Sequence, residues 1–282
     1  MSQNNSDTSH IELHFTATTS QQTALELLSD LTPISKQKIK ITMTNGAVWL
    51  ESAIGIHRLR RAKKIIRKND VLHLYYDKNI QASLPDPAIL ISDEGEYSIW
   101  DKPYGMYSQG TKWGDHCTIY RWAEKHLIPQ RPAFLVHRLD RAASGLIIIA
   151  HSKKTAAAFA KLFQIHRITK RYQATVEGVL DDKELPFTIN SEIEGKPAIS
   201  KITEIKHSKD NQTHISIEIA SGRKHQIRKH LSELGFPIVG DRLYGSAISE
   251  ENLQLKSCYL KFNCPTMNVV REYSLQNNSS IQ

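Results

Sequence analysis

Apolar and polar positions alternate at Ile11, Leu13 and Phe15, which predicts a strand after a short polar tail ending near His10. A helix follows, capped by Thr19 or Ser20 and carrying Ala24, Leu25, Leu27 and Leu28, and it stops before Pro33. A second helix opens after Ser35 and ends at Asn45-Gly46, a helix-stop pair. Ala47 to Leu50 and Val71 to Tyr76 read as strands. Pro85 and Pro87 mark Asp77 to Ala88 as a stretch without regular structure. This predicts a first domain over 11–78, a linker over 79–88 and a second domain over 89–275.

In the second domain, Ile89 to Ser92 and Tyr97 to Trp100 read as paired strands around the turn 93–96, and Cys117 to Leu127 as a helix. Leu146 to Ala150 is apolar without alternation, the pattern of a strand covered on both faces. Ser152 caps a helix with Ala156, Phe159, Ala160, Leu162 and Phe163 on its buried side. Lys170 to Gly178 alternates, with Tyr172, Ala174 and Val176 on one face, and Lys201 to Lys206 pairs with His214 to Ile219 across the turn 209–212. Ser221-Gly222 turns into a helix with Ile227, Leu231 and Leu234 as its core stripe, stopped by Gly235. Strands outnumber helices and helices are inserted among them, so the fold class is α+β with a largely antiparallel sheet.

Charge adds a polyanionic partner. The 282 residues carry a formal net charge of +8, and between Ile34 and Lys68 stand ten Lys or Arg and one acid, Glu51. Leu59, Ile65 and Ile66 are interleaved in this block as apolar anchors, which a solvated basic arm would not need, so we read an RNA-contacting module with Arg58, Arg61 and Lys64 among its cations. Cys117, Cys258 and Cys264 form no Cys-x-x-Cys pair and no membrane-spanning run is present, which predicts a reducing, cytoplasmic setting without a membrane partner.

The chemistry concentrates at 137–150, His-Arg-Leu-Asp-Arg-Ala-Ala-Ser-Gly-Leu-Ile-Ile-Ile-Ala, a charged loop feeding the apolar strand. Asp140 stands between Arg138 and Arg141; taken alone, the pattern fits a solvated ion pair as well as a reacting carboxylate. In 221–245, Lys224 and Arg228 share a helix face. His225 and His230 lie roughly 140° apart on a helix, which argues against a shared metal ion. Neither a serine-hydrolase elbow nor a Gly-rich phosphate loop occurs.

Taken together, His137-Arg-Leu-Asp140 with Ser144-Gly145, Lys170-Arg-Tyr172-x-Ala174, Gly222-Arg-x-His225-Gln-Ile-Arg228-x-His230-Leu, Gly240-Asp241-x-x-Tyr244-Gly245 and Lys102-Pro-x-Gly105 resemble the RluA-type pseudouridine synthases. The first domain resembles an S-four-type RNA-binding module, a small α/β fold, with Ala47-Val48-Trp49-Leu50-Glu51 in place of the usual hairpin. Ala143 stands where the family has Thr, and Leu255-Lys256-Ser257 replaces a Leu-His-Ala segment. The resemblance implies isomerisation of uridine in RNA without a cofactor, on a base flipped out of its stack. It implies Asp140 as nucleophile or as base, Arg228 as the cation paired with it, and Tyr172 stacked on the uracil. Arg138 would enter the space left by the base, and Lys102 would stand near the entrance. Large-subunit ribosomal RNA is the favoured partner, with transfer RNA as the alternative, and a monomer is the default. Two rivals stand beside this reading: a non-catalytic RNA binder, and a nucleoside or sugar enzyme using Asp241 as a second carboxylate.

Overall fold

The structure, a computed structural model, describes residues 9–180, 184–207 and 211–275. The expected polar tail therefore lies almost wholly outside the described residues, as do Lys209 and Asp210 of the expected turn. The chain divides into two units, Met1–Pro85 with Gln109–Trp122, and Asp86–Ser108 with Ala123–Gln282.

The first unit contains β1 (His10–Thr16), α1 (Ala24–Leu31), α2 (Lys36–Thr44), β2 (Val48–Ser52), β3 (Gly55–Arg58), β4 (Val71–Asp77) and α3 (Lys78–Ala82). The strands form an antiparallel sheet in the order β1-β4-β2-β3. One face buries Val48, Leu50, Leu72, Leu74 and Tyr76 with Leu28, Ile39 and Met43 of the helices. Helix α1 starts at Thr23, later than Thr19 or Ser20, because Thr23 and Glu26 satisfy each other's amides in a capping box. Helix α3 occupies the start of the stretch expected to be irregular: the Asp77 carboxylate accepts the amides of Asn79 and Ile80, both at 2.9 Å, and Pro85 and Pro87 come only afterwards.

Residues 109–122, which follow the expected linker in sequence, pack with this unit. Their anchor is Asp115, whose side chain is 2% exposed and lies 2.6 Å from Arg60, 3.3 Å from Arg58 and 2.7 Å from the Tyr120 hydroxyl. Its amide donates to the Asn45 carbonyl at 2.9 Å. Gly46 has φ +79°, and a Cβ there would run into the Asp115 carboxylate, so this glycine serves both the helix stop and the close approach.

The second unit contains β5 (Ile89–Asp93), β6 (Tyr97–Lys102), β7 (Phe134–Leu135), β8 (Ser144–Ala150), α5 (Lys153–Gln164), β9 (Ile168–Glu177), β10 (Phe187–Ile193), β11 (Lys196–His207), β12 (Gln212–Ile219), α6 (Gln226–Glu233), β13 (Leu255–Asn263) and β14 (Val270–Ser274). Helix α4 (Ile119–His126) precedes β7 in the chain. The sheet runs β10-β11-β12-β9-β13-β8-β6-β5, with β14 on β13 and β7 on β8. Every pairing is antiparallel except β8 with β13, so the fold is α+β with a largely antiparallel sheet, as the strand-rich pattern predicts. Leu146 to Ala150 is fully buried, and Leu146 and Ile148 pack with Phe159 of α5 and with Leu260 and Phe262 of β13.

The parallel contact is two residue pairs long, Lys256 with Ser144 and Ser257 with Gly145. On its other side Ser257 pairs with Tyr172, so Tyr172, Ser257 and Gly145 form one row across three strands. Gly145 has φ +106°, and a Cβ there would collide with the Ser257 backbone. Among the described residues, no helix is long and apolar enough to cross a membrane.

Candidate active site

Asp140 lies on the loop that enters β8, and that loop is fixed from two directions. Upstream, the Ser108 hydroxyl accepts the Leu139 amide at 3.0 Å and donates to the Leu139 carbonyl at 2.7 Å. Downstream, the Gly105 amide donates to the Arg141 carbonyl at 2.9 Å, while Arg141 Nε reaches the Gly105 carbonyl at 3.3 Å. The Ala143 amide closes the turn on the Asp140 carbonyl at 3.1 Å. His137 ties the approach to the strand: its Nε2 accepts the Ile148 amide at 2.9 Å and its ring stacks on Phe163. Between these ties the Asp140 side chain stays 29% exposed, a carboxylate open to solvent on a loop whose neighbours are held.

Tyr172 reaches this region through its row with Ser257 and Gly145. It is 8% exposed, and burial, with the Asp140 charge adding to it, pushes its phenol well above the ordinary value. Tyr172 is therefore a neutral hydroxyl with an aromatic face, beside an anion.

Helix α6 supplies a cation, Arg228, and the residue before the helix supplies an imidazole, His225. Gln226 anchors its first turn, accepting from Ser221 Oγ at 2.8 Å and donating to the Ile199 carbonyl at 2.9 Å. Arg228 Nη1 is 3.8 Å from Asp140 Oδ2, and His225 Nε2 is 3.7 Å from Asp140 Oδ1. The main partner of Arg228, however, is Asp241: Nε and Nη2 donate to its two carboxylate oxygens at 2.7 and 2.6 Å, a bidentate pair with an Asp241 side chain at 0% exposure. Asp241 also accepts the amides of Leu243 and Tyr244 at 3.0 and 3.1 Å. Burial opposes both charges, yet the pairing prevails, holding Asp241 below and Arg228 above their ordinary values. The expectation that Arg228 pairs with Asp140 is corrected to this extent: the guanidinium is fixed by Asp241 and offers one remaining nitrogen to Asp140.

Two expected RNA contacts are likewise corrected. Lys102 is 0% exposed and donates to the carbonyls of Pro103 and Met106 at 3.0 and 2.9 Å. Burial brings its pKa down to about 7, against the charges of Asp140 and Asp101. It is an internal brace of the 103–108 turn. Arg58 is spent inside the first unit on Asp115, the Gly46 carbonyl and the Thr111 carbonyl at 2.8 Å, with its guanidinium 4.2 Å over the Trp49 ring. Arg138 and Arg61 are exposed and Lys64 is half-buried. The segment carrying Arg61 and Lys64 is no loose arm: the Ala62 and Lys64 carbonyls accept the amides of Leu25 and Ala24, and Ile66 is fully buried.

His230 bonds Ser200 and Ser191 at 2.8 and 3.0 Å, whereas His225 bonds the Tyr244 hydroxyl at 2.9 Å, so the two histidines serve different partners. Among the described residues no cluster of three or more His, Cys, Asp or Glu is arranged to hold a metal. Ser108, Asp241 and Tyr244 carry the geometry: Ser108 and Tyr244 were not among the expected site residues, and Asp241 was weighed only as the second carboxylate of the sugar-enzyme rival. A Gly-Asp-x-x-Tyr-Gly turn beside an arginine helix was the available signal for the last two.

Residues 96–233 match the family model described as RNA pseudouridylate synthase, a span that holds Asp140, Tyr172 and Arg228. The dual-specificity RNA pseudouridine synthase RluA of Vibrio cholerae is 32% identical over 66% of this chain and 82% of its own length. The ribosomal large subunit pseudouridine synthase D of Buchnera aphidicola is 28% identical over 71% of this chain and 69% of its own. Human RNA pseudouridylate synthase domain containing 1 has the same fold, with a TM-score of 0.57 and 22% identity over 67% of this chain and 83% of that one. The chain belongs to the RluA-type RNA pseudouridine synthases, isomerases that act on uridine in RNA.

Proposed function

We propose that this isomerase acts on large-subunit ribosomal RNA, with Asp140 as the reacting carboxylate and the target uridine flipped out of its stack. The observation that carries the reading is an Asp140 side chain 29% exposed beside an Arg228 that is 5% exposed, with Tyr172 buried alongside. An accessible anion thus stands beside a cation fixed by Asp241 and beside an aromatic face. Asp140 attacks the ribose or removes a proton from it; either role needs an oriented carboxylate, and a planar guanidinium beside it helps to fix that orientation. Tyr172 stacks on the uracil, and the exposed Arg138 fills the space the base leaves. Flipping costs roughly a few kcal/mol, offset by phosphate contacts from Arg61, Lys64 and their neighbours in an S-four-type module over 11–78.

The sugar-hydrolase rival loses its second carboxylate, because Asp241 is fully buried and saturated by Arg228 and two amides. Ribosomal RNA is favoured by the Buchnera relative's name. The Vibrio relative, being of dual specificity, supports a second reading in which transfer RNA is also modified.

The test is pseudouridine mapping of ribosomal and transfer RNA from cells with and without the gene, with an Asp140→Asn rescue alongside. Loss of a ribosomal site that wild type restores and Asp140→Asn does not is the expected result. An unchanged ribosomal map, or full rescue by Asp140→Asn, would overturn the proposal.

A further inference from the structure

His225 is a titratable neighbour of Asp140 that the reaction as described leaves without a task. It precedes α6 with φ +56°, in the left-handed region, and contributes no side-chain cap to the helix. A histidine held there costs free energy that Gly or Asn would largely avoid, and such strain collects at functional positions. Its ring spans two partners: Nε2 lies 3.7 Å from Asp140 Oδ1, and Nδ1 lies 2.9 Å from the Tyr244 hydroxyl. Tyr244 is itself placed by the site, since its amide binds Asp241 at 3.1 Å and its ring lies 5.1 Å from the Arg228 guanidinium carbon.

We propose that His225 is a positioning residue for Asp140, kept as the neutral Nε2–H tautomer by the Tyr244 hydroxyl so that it holds the carboxylate oxygen Arg228 does not reach. The proposal rests on the reading of Asp140 as the reacting carboxylate. Arg228 has only Nη1 left, directed at Oδ2. A carboxylate held through one oxygen can still rotate, whereas one donor at each oxygen sets its plane. The tautomer follows from the neighbours: with the Tyr244 hydroxyl donating to Nδ1, the ring proton resides on Nε2 and faces an anion, and the reverse tautomer would aim a lone pair at that anion. The charged and titratable groups around the ring are Asp140 on its loop, Lys224 and Arg228 along its own segment, and Asp241 and Tyr244 on the following turn. Burial, opposed by Asp140, moves the imidazole below its ordinary value, which keeps it neutral at neutral pH. The 3.7 Å gap exceeds hydrogen-bond length; such contacts commonly run long before substrate binds and shorten in the complex.

The test has two arms on the full chain. In the first, imidazole 15N shifts are recorded at pH 7.5 without RNA, the His225 signals being assigned by their loss in His225→Gln. Wild type is expected to show the Nε2–H pattern, weakened in both Asp140→Asn and Tyr244→Phe. A Nδ1–H pattern, or one indifferent to both substitutions, would overturn the proposal. In the second arm, single-turnover pseudouridine formation and binding are measured on RNA from cells lacking the gene. His225→Ala is expected to slow turnover about tenfold with affinity held within about twofold. His225→Gln, which returns an N–H near the Nε2 position, should recover most of the loss, and His225→Asn should not. A parallel fall in rate and affinity, or equal rescue by Asn and Gln, would also overturn it. Should wild type itself form no pseudouridine, the reading of Asp140 fails, while the tautomer arm still decides the placement of His225. Should His225→Ala not fold, Tyr244→Phe carries the kinetic arm.

Discussion

The Ser108 side chain meets both backbone polar groups of Leu139, accepting from the amide at 3.0 Å and donating to the carbonyl at 2.7 Å. It thus completes, with one hydroxyl, the hydrogen bonding of a buried peptide next to Asp140. Ser108→Ala leaves that pair unmet and is expected to lower stability by about 1–3 kcal/mol. Loosening of the loop should also reduce turnover about tenfold with little change in RNA affinity. Urea unfolding and single-turnover assays check the two effects separately.

Arg228 and Asp241 form a pair whose loss is asymmetric. Asp241→Ala strands a guanidinium at 5% exposure and is expected to cost about 3–5 kcal/mol. Arg228→Lys keeps the charge but not the two-pronged geometry, so it should fold better than Arg228→Ala without recovering activity. Thermal melts alongside turnover measurements test both statements.

The basic block separates into internal braces such as Arg58 and exposed cations such as Arg61. Arg58→Ala should lower the melting temperature of the protein, because it empties a site used by Asp115 and two carbonyls. Arg61→Ala should leave the melt unchanged, weaken RNA binding across sequences and reduce the salt slope of the affinity by about one. Binding titrations at several salt concentrations distinguish the two.

His137 predicts a pH dependence of stability. Burial pushes its pKa down to about 3, with Lys170 adding to the shift, while Nε2 accepts the Ile148 amide. A histidine depressed on folding contributes stability that is full above the unfolded value near 6.5 and is lost as pH falls toward the folded one. Stability should therefore drop between pH 7.5 and 5, above the range where most carboxylates titrate. His151 and His230, also depressed mainly by burial, add to the slope. His137→Gln should be less stable at pH 7.5 yet show a shallower decline, measured by urea unfolding at each pH.

How much of this was legible depended on the reach of each signal. The period-two and apolar runs gave β1, β8 and β9, since burial of one face or both writes directly into residue order. The capping box at Thr23 and Glu26 was equally readable as Thr-x-x-Glu, and its local chemistry prevailed over the earlier Thr19 and Ser20. Five strands, β3, β7, β10, β13 and β14, were missed; β3 and β14 have no buried residue, so no apolar face marks them. Arg58 and Arg61 look alike in the chain, and only the hairpin that sets Arg58 beside Trp49 and Asp115 tells them apart. Lysine in a turn normally means solvent, so the burial of Lys102 against two carbonyls has no local signature. The motifs named Asp140 and Arg228, but the geometry runs through a partner 13 residues beyond the arginine and a serine 31 residues before Leu139.

The two-residue parallel contact of Gly145 with Ser257 also sets an order of events. Asp140 and the β8 strand leave the ribosome more than a hundred residues before β13, the strand that seats Tyr172 against Gly145. Until that late strand inserts between β8 and β9, the carboxylate and the tyrosine have no shared scaffold. A nascent chain halted before β13 would hold nearly every residue of the site without the strand that brings Tyr172 into one row with Gly145.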